Sequence, residues 1–271
     1  MTEMLKEMKY RYLFLGVILT LALSLIACAL LKLPSLYATT ISGTLALYAF
    51  PLVWMGYYFR KYQLSFRAWL KPVRLKISET LASAFFPELL GMGILLLITV
   101  GITAILPTGG LNELPETNTN WVLSFVSAVI LAPICEELIF RGFILNKMLL
   151  RFSPAKAVIF SSVIFGALHL TTGISPTIVG VVLCIIYMKY QSIIPCIVIH
   201  CIHNLAVVSI KYLASSGVDA TAQMTAADFQ PLIVLSGVFI ALGLVWLVLF
   251  VRKNWHYASA FALHVSPPSN D

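Results

Sequence analysis

The run WVLSFVSAVILAPICEELIFRGFILNKMLL, residues 121–150, decides the fold. It supplies more than the ~20 predominantly apolar residues that a membrane span requires, so it reads as a transmembrane helix. Two adjacent carboxylates, Glu136 and Glu137, interrupt it. A charged side chain at the bilayer centre costs at least ~2.5–3.5 kcal/mol, so acidic residues at that depth face a wet cavity or a partner and mark function.

The rest of the chain extends that reading. Of 271 residues, 60% are hydrophobic and 11% are charged, and the mean hydropathy is +0.94. Soluble domains carry roughly 45–50% apolar and 25% charged residues. The expectation is an all-α, multi-pass integral membrane protein. No polar linker separates two halves, so residues 1–253 form one membrane-embedded domain, and 254–271, with Pro267-Pro268, reads as a disordered cytoplasmic tail.

About eight spans follow from the apolar runs, near 12–31, 36–59, 79–106, 121–146, 156–172, 174–190, 193–213 and 230–251. Pro87 removes a backbone donor and is expected to kink the third. Sidedness follows from the loops. With the N-terminus inside, Lys6, Lys9 and Arg11, the basic loop 60–76, Lys147, Arg151, Lys156, Lys189, Arg252 and Lys253 are all cytoplasmic. The opposite face receives Lys32 and Lys211 together with the acidic loops holding Glu113, Glu116, Asp219 and Asp228. This obeys the positive-inside rule, and an even number of spans puts both termini in the cytoplasm.

The net charge of +7 therefore reports topology beside anionic lipid, not a nucleic-acid partner. Lys6 to Cys28 has the outline of a signal sequence ending in a lipoprotein box. The apolar run continues through Leu31, however, and reads as an uncleaved first helix. Five cysteines without a Cys-x-x-Cys pair point to buried thiols, not to a disulfide framework or zinc ribbon.

Three polar clusters stand inside the spans: Glu136/Glu137/Arg141, His169, and His200/His203/Asn204. Glu137 and Arg141 are four apart and share a helical face as an ion pair. That leaves Glu136 about 100° round the helix, free to point elsewhere. His200 and Asn204 share a face, with His203 offset. Counted along the helices at ~1.5 Å per residue, Glu136, His169 and His200 all lie roughly 13–20 Å from the cytoplasmic ends, so one water-filled pocket can hold them. Glu88 and His203 read as structural.

A carboxylate that accepts a proton, histidines that share it and an amide that stabilises an oxyanion match water activation for peptide hydrolysis. The sequence contains no Gly-x-Ser-x-Gly, Gly-x-Gly-Asp or His-Glu-x-x-His, which leaves the serine, aspartyl and zinc-helix designs without their motifs. Glu136-Glu137-x-x-x-Arg141, Phe165-x-x-x-His169 and His200-x-x-x-Asn204, in that order, resemble the three motifs of the CPBP intramembrane proteases. That family includes the CAAX prenyl endopeptidases and the bacterial bacteriocin-processing or self-immunity (Abi) proteins. The resemblance covers about 121–210.

The resemblance implies that Glu136 and His169 activate water and that His200 and Asn204 bind the oxyanion. It also implies that Glu137 and Arg141 fix the first motif helix and that Phe165 packs beside the site. The implied partner is a membrane-associated, prenylated or bacteriocin-type peptide, and the implied location is a bacterial cell membrane. The family has been described both as metalloproteases and as glutamate-dependent enzymes. No cofactor is assigned, and a Glu/His/His set leaves zinc open. Two other classes fit the same residues: a non-catalytic self-immunity or regulatory membrane protein, and a proton-coupled transporter.

Overall fold

The long apolar runs have no way to satisfy their backbone polar groups in lipid except by hydrogen bonding within helices, and the computed structural model is built that way. It describes residues 1–105, 125–169, 173–215 and 226–265, which hold nine helices and no strand. These are α1 (Thr2–Glu7), α2 (Tyr10–Leu30), α3 (Ser35–Lys61), α4 (Ile77–Ile105), α5 (125–149), α6 (Pro154–Ala167), α7 (Ile174–Tyr190), α8 (Ile194–Ser215) and α9 (Ala226–Val265). Helix α4 runs unbroken through Pro87.

Each of the eight expected spans has a helix, yet their lengths differ from the expectation. Among the described residues four segments are long and apolar enough to cross a membrane alone, namely Tyr10–Leu30, Ser35–Lys61, Ile77–Ala104 and Phe229–Phe261. The motif helices are shorter. Helix α6 ends at Ala167, a length of ~21 Å at the helical rise, against a hydrocarbon core of ~30 Å. The expected span 156–172 is corrected accordingly, and His169 lies beyond the last helical turn, its N–H donating to Gly166 O at 2.9 Å.

The long helices form the lipid-facing wall. Ile18 of α2 is 63% exposed and Val53 of α3 is 72% exposed, as suits side chains solvated by acyl tails. Helix α7 is the opposite case. Every residue from Val182 to Met188 is buried, the pattern of a helix hydrophobic all round. Close approach around α7 depends on glycine. A Cβ on Gly91 of α4 would stand 2.5 Å from Ser175 Cα, and one on Gly180 would meet Ser162 of α6 at 3.0 Å. Small residues at such crossings are what lets membrane helices pack backbone to backbone.

All the basic segments gather at one end. Ile193 N donates to Trp69 O at 2.8 Å and Ser192 Oγ to Lys71 O at 2.7 Å. Lys189 and Tyr190 bond Glu79, and Tyr187 packs edge-on against Phe261. At the same end α1 docks through Met4, Leu5 and Met8, each almost fully buried. Its free C-terminal carbonyl at Leu5 accepts from Lys147 Nζ, an arrangement that satisfies one of the groups every helix end leaves open. Glu7 accepts from Lys61 at 2.5 Å and from Tyr62. The Lys61 and Tyr62 hydrogen bonds hold its carboxyl below the usual range.

The tail expectation is corrected in part. Helix α9 continues to Val265, with Phe250, Asn254, Ala258 and Phe261 buried along one face. Their spacing of four, four and three residues is an amphipathic stripe, and the charges at Arg252 and Lys253 obscure it in the sequence. Residues 266–271, the connector 106–124, residues 170–172 and residues 216–225 lie outside the described set, and with them Glu113, Glu116 and Asp219.

Candidate active site

Helix α5 is not a uniform α-helix. It alternates π segments, Ser127–Leu131 and Leu138–Leu145, with the α turns Ala132–Glu137 and Asn146–Leu149. Wider π turns displace side chains from the 3.6-residue register and recur at functional sites. Asn146 supports this departure by donating its amide to Arg141 O at 2.7 Å and Gly142 O at 3.0 Å.

Glu136 and Glu137 emerge from this helix in different directions. Glu137 is fully buried, and its Oε1 accepts from Arg141 Nη1 at 2.8 Å. The same oxygen takes the Nδ1–H of His200 of α8 at 2.8 Å. Glu137 therefore does more than pair with Arg141: it orients the imidazole, leaving Nε2 turned toward Glu136. Arg141 is equally buried, reaches Gly180 O at 3.2 Å and lies over the Phe165 ring at 4.9 Å.

Glu136 faces a cavity of about 750 Å³ with its side chain 20% exposed. Its Oε2 lies 3.8 Å from His200 Nε2 and 4.0 Å from His169 Nε2. His169 approaches from beyond α6, its ring fixed because Nδ1 donates to Phe165 O at 2.8 Å. A carbonyl only accepts, so Nδ1 carries a hydrogen and Nε2 is the nitrogen turned to Glu136. Phe165 packs against both rings, 4.8 Å from His169 and 5.7 Å from His200 between centroids. Asn204 lines the same cavity, one N–H engaged by Ala128 O of α5 at 2.7 Å.

All six expected positions thus meet in one place, five of them in mutual contact and Asn204 on the shared wall. Three more residues join that wall. His203 donates from Nδ1 to Ala84 O at 3.3 Å and sets Nε2 3.6 Å from Glu88 Oε2, and Ser175 of α7 donates to the same carboxylate oxygen. The pattern Glu88, His203 and Ser175 crosses three helices far apart in sequence. No local spacing announces it.

The donor set was tested for zinc. Ligand atoms ~2.0–2.2 Å from a tetrahedral zinc stand ~3.3 Å from one another, whereas the two imidazole nitrogens lie 3.8 and 4.0 Å from the carboxylate oxygen. Among the described residues no group of three or more His, Cys, Asp or Glu is arranged to hold a metal ion.

Residues 118–206 match the model of the family described as Rce1-like type II CAAX prenyl endopeptidase. The matched segment carries all three motifs and all six expected site positions, Glu136, Glu137, Arg141, His169, His200 and Asn204. No curated protein and no solved structure matches the chain. The match supports a membrane-embedded protease of the CAAX type.

Proposed function

We propose that this protein is an intramembrane endopeptidase in which Glu136 is the general base for an attacking water. One observation carries the reading: three polar atoms, Glu136 Oε2, His169 Nε2 and His200 Nε2, converge on the wall of one cavity, the two imidazole nitrogens 4.0 and 3.8 Å from the carboxylate oxygen. A water placed between them donates to Glu136 and His169. In this reading His200 is the donor, its Nδ1–H held by Glu137 and its Nε2–H turned to the site.

Glu136 and His169 each accept a hydrogen from the water, and His200 donates from Nε2. As the water oxygen bonds to the scissile carbonyl carbon, its proton passes to Glu136. His200 Nε2–H and the remaining N–H of Asn204 donate to the carbonyl oxygen as it becomes an oxyanion. When the C–N bond breaks, Glu136 returns the proton to the leaving amine.

The family match points to a prenylated CAAX-type peptide as the first substrate to assay. In membranes from cells expressing either the wild-type protein or Glu136→Gln, mass spectrometry is expected to show an intact peptide accumulating with the variant and its fragments with the wild type. Identical peptide inventories would overturn the reading. A second prediction concerns metal. Turnover of a quenched farnesylated CAAX-type peptide is expected to survive exhaustive chelation, and loss that added zinc restores would replace the proposed mechanism.

A further inference from the structure

Helix α3 faces the cavity with Tyr37, Thr40, Thr44 and Tyr48. Their spacing of three, four and four residues sets them on one stripe. Thr40 donates to Leu36 O and Thr44 to Thr40 O, both at 2.8 Å, so the only hydroxyl proton of each is engaged within its own helix. A tyrosine hydroxyl stands at the far end of a ring and has no such option. Tyr37 and Tyr48 are therefore the residues of this stripe whose donors reach beyond their own helix, and Tyr48 is the one beside Glu136.

Its position is specific. Tyr48 lies in the π segment Leu45–Ala49 of α3, which packs on the Ala132–Glu137 turn that carries Glu136. Its hydroxyl is hydrogen-bonded with Ser127 of α5 and lies near Glu136 and Cys135, and Tyr48, Ser127 and Glu136 line the same cavity. Depth agrees independently. Tyr48 is thirteen residues from Lys61 and Glu136 eleven from Lys147, so they stand ~20 and ~17 Å from the basic end at the helical rise. A second π segment, Ser127–Leu131, completes this wall, so irregular backbone frames the site from both helices.

Resting on the endopeptidase reading above, we propose that Tyr48 is a further catalytic residue, whose O–H donates a hydrogen bond to the scissile carbonyl oxygen as that oxygen becomes the oxyanion. The phenol proton stays on Tyr48 throughout; the water proton still travels through Glu136 to the leaving amine. The need for it is physical. One N–H of Asn204 is held by Ala128 O, so the two donors named for the oxyanion, His200 Nε2–H and the other Asn204 N–H, both come from α8. Preorganised donors aimed at developing charge are the largest single contribution in acyl-transfer sites.

The test is Tyr48→Phe, assayed on the quenched farnesylated CAAX-type peptide. The expected result is a kcat lower by about 10²-fold with KM and melting temperature unchanged. Affinity for a phosphonate analogue of the same peptide, which mimics the tetrahedral intermediate, is expected to weaken by a similar factor. A second variant carries 3,5-difluorotyrosine at position 48. Its more acidic hydroxyl stops donating at a lower pH, so its activity is expected to decline earlier on the alkaline side than the wild type's.

Wild-type kcat in Tyr48→Phe overturns the assignment. So does a loss shared equally between KM and phosphonate affinity, or a difluorotyrosine pH profile that coincides with the wild type. Glu136→Gln in the same assay separates the two readings. If Glu136→Gln is inactive and Tyr48→Phe fully active, only the tyrosine assignment fails. If Glu136→Gln cleaves undiminished, the endopeptidase mechanism fails and the tyrosine assignment goes with it.

Discussion

Glu136→Gln is expected to lower kcat by about 10³–10⁴-fold, the upper range for removal of a positioned general base, while the protein keeps its melting temperature. Two structural facts make the prediction specific. Glu136 contributes little to the core: its side chain is 20% exposed to the cavity, and the buried ion pair of this helix is made by its neighbour. Glutamine preserves its shape. His200 stays oriented, because its Nδ1–H is held by Glu137 and not by Glu136. What the substitution removes is the acceptor that takes the water proton and later returns it. An amide does neither, so KM for the same peptide is expected to stay close to the wild-type value. Circular dichroism and thermal melting in detergent check the fold, and steady-state kinetics check the rate. A variant that turns over within tenfold of the wild type would remove Glu136 from the mechanism.

The residues that sequence reading brought together were those whose relation is local. Glu137 and Arg141 are one helical turn apart, and their pairing follows from that spacing alone. The helices followed from runs of apolar residues, and their common basic end from the placement of lysine and arginine. What sequence spacing did not contain was any relation between helices. The bond from Glu137 to His200 joins residues 63 positions apart, and the contact of Ser175 with Glu88 spans 87. Both depend on how helices rotate as they pack.

The π segments were hidden for a related reason. They appear where side chains such as Asn146 take over backbone hydrogen bonds, an arrangement settled by packing and not by hydrophobic periodicity. Glu88 reads as structural because its span exceeds what a bilayer requires, and His203 because it is offset from the face of His200 and Asn204; together on one wall they make a polar bridge between α4, α7 and α8. The end of α9 was misplaced because Arg252 and Lys253 read as a stop, although the helix carries its buried stripe past them to Phe261.

Arg141→Met is expected to destabilise the protein by about 3–5 kcal/mol, the cost of leaving one member of a buried ion pair uncompensated. The guanidinium is fully buried, 2.8 Å from Glu137 Oε1 and 3.2 Å from Gly180 O, and it covers the Phe165 ring. Removing it strands the Glu137 charge where no water reaches. The His200 donor remains beside that carboxylate, which places the expected loss at the lower end of the range. The double variant Glu137→Leu with Arg141→Met separates stability from function. Replacing both charges with apolar groups of similar volume is expected to recover most of the lost stability, since a buried pair is rarely worth more than good apolar packing. Activity is expected to stay low in the double variant. Without Glu137, His200 loses the acceptor that fixes its ring and the counter-charge that keeps its Nε2–H available to an oxyanion. Equilibrium or thermal unfolding in detergent reads the first half, and turnover of the quenched peptide reads the second. A double variant that regains both stability and wild-type turnover would reduce the Glu137–Arg141 pair to a structural staple and break the proposed link from Arg141 through Glu137 to His200.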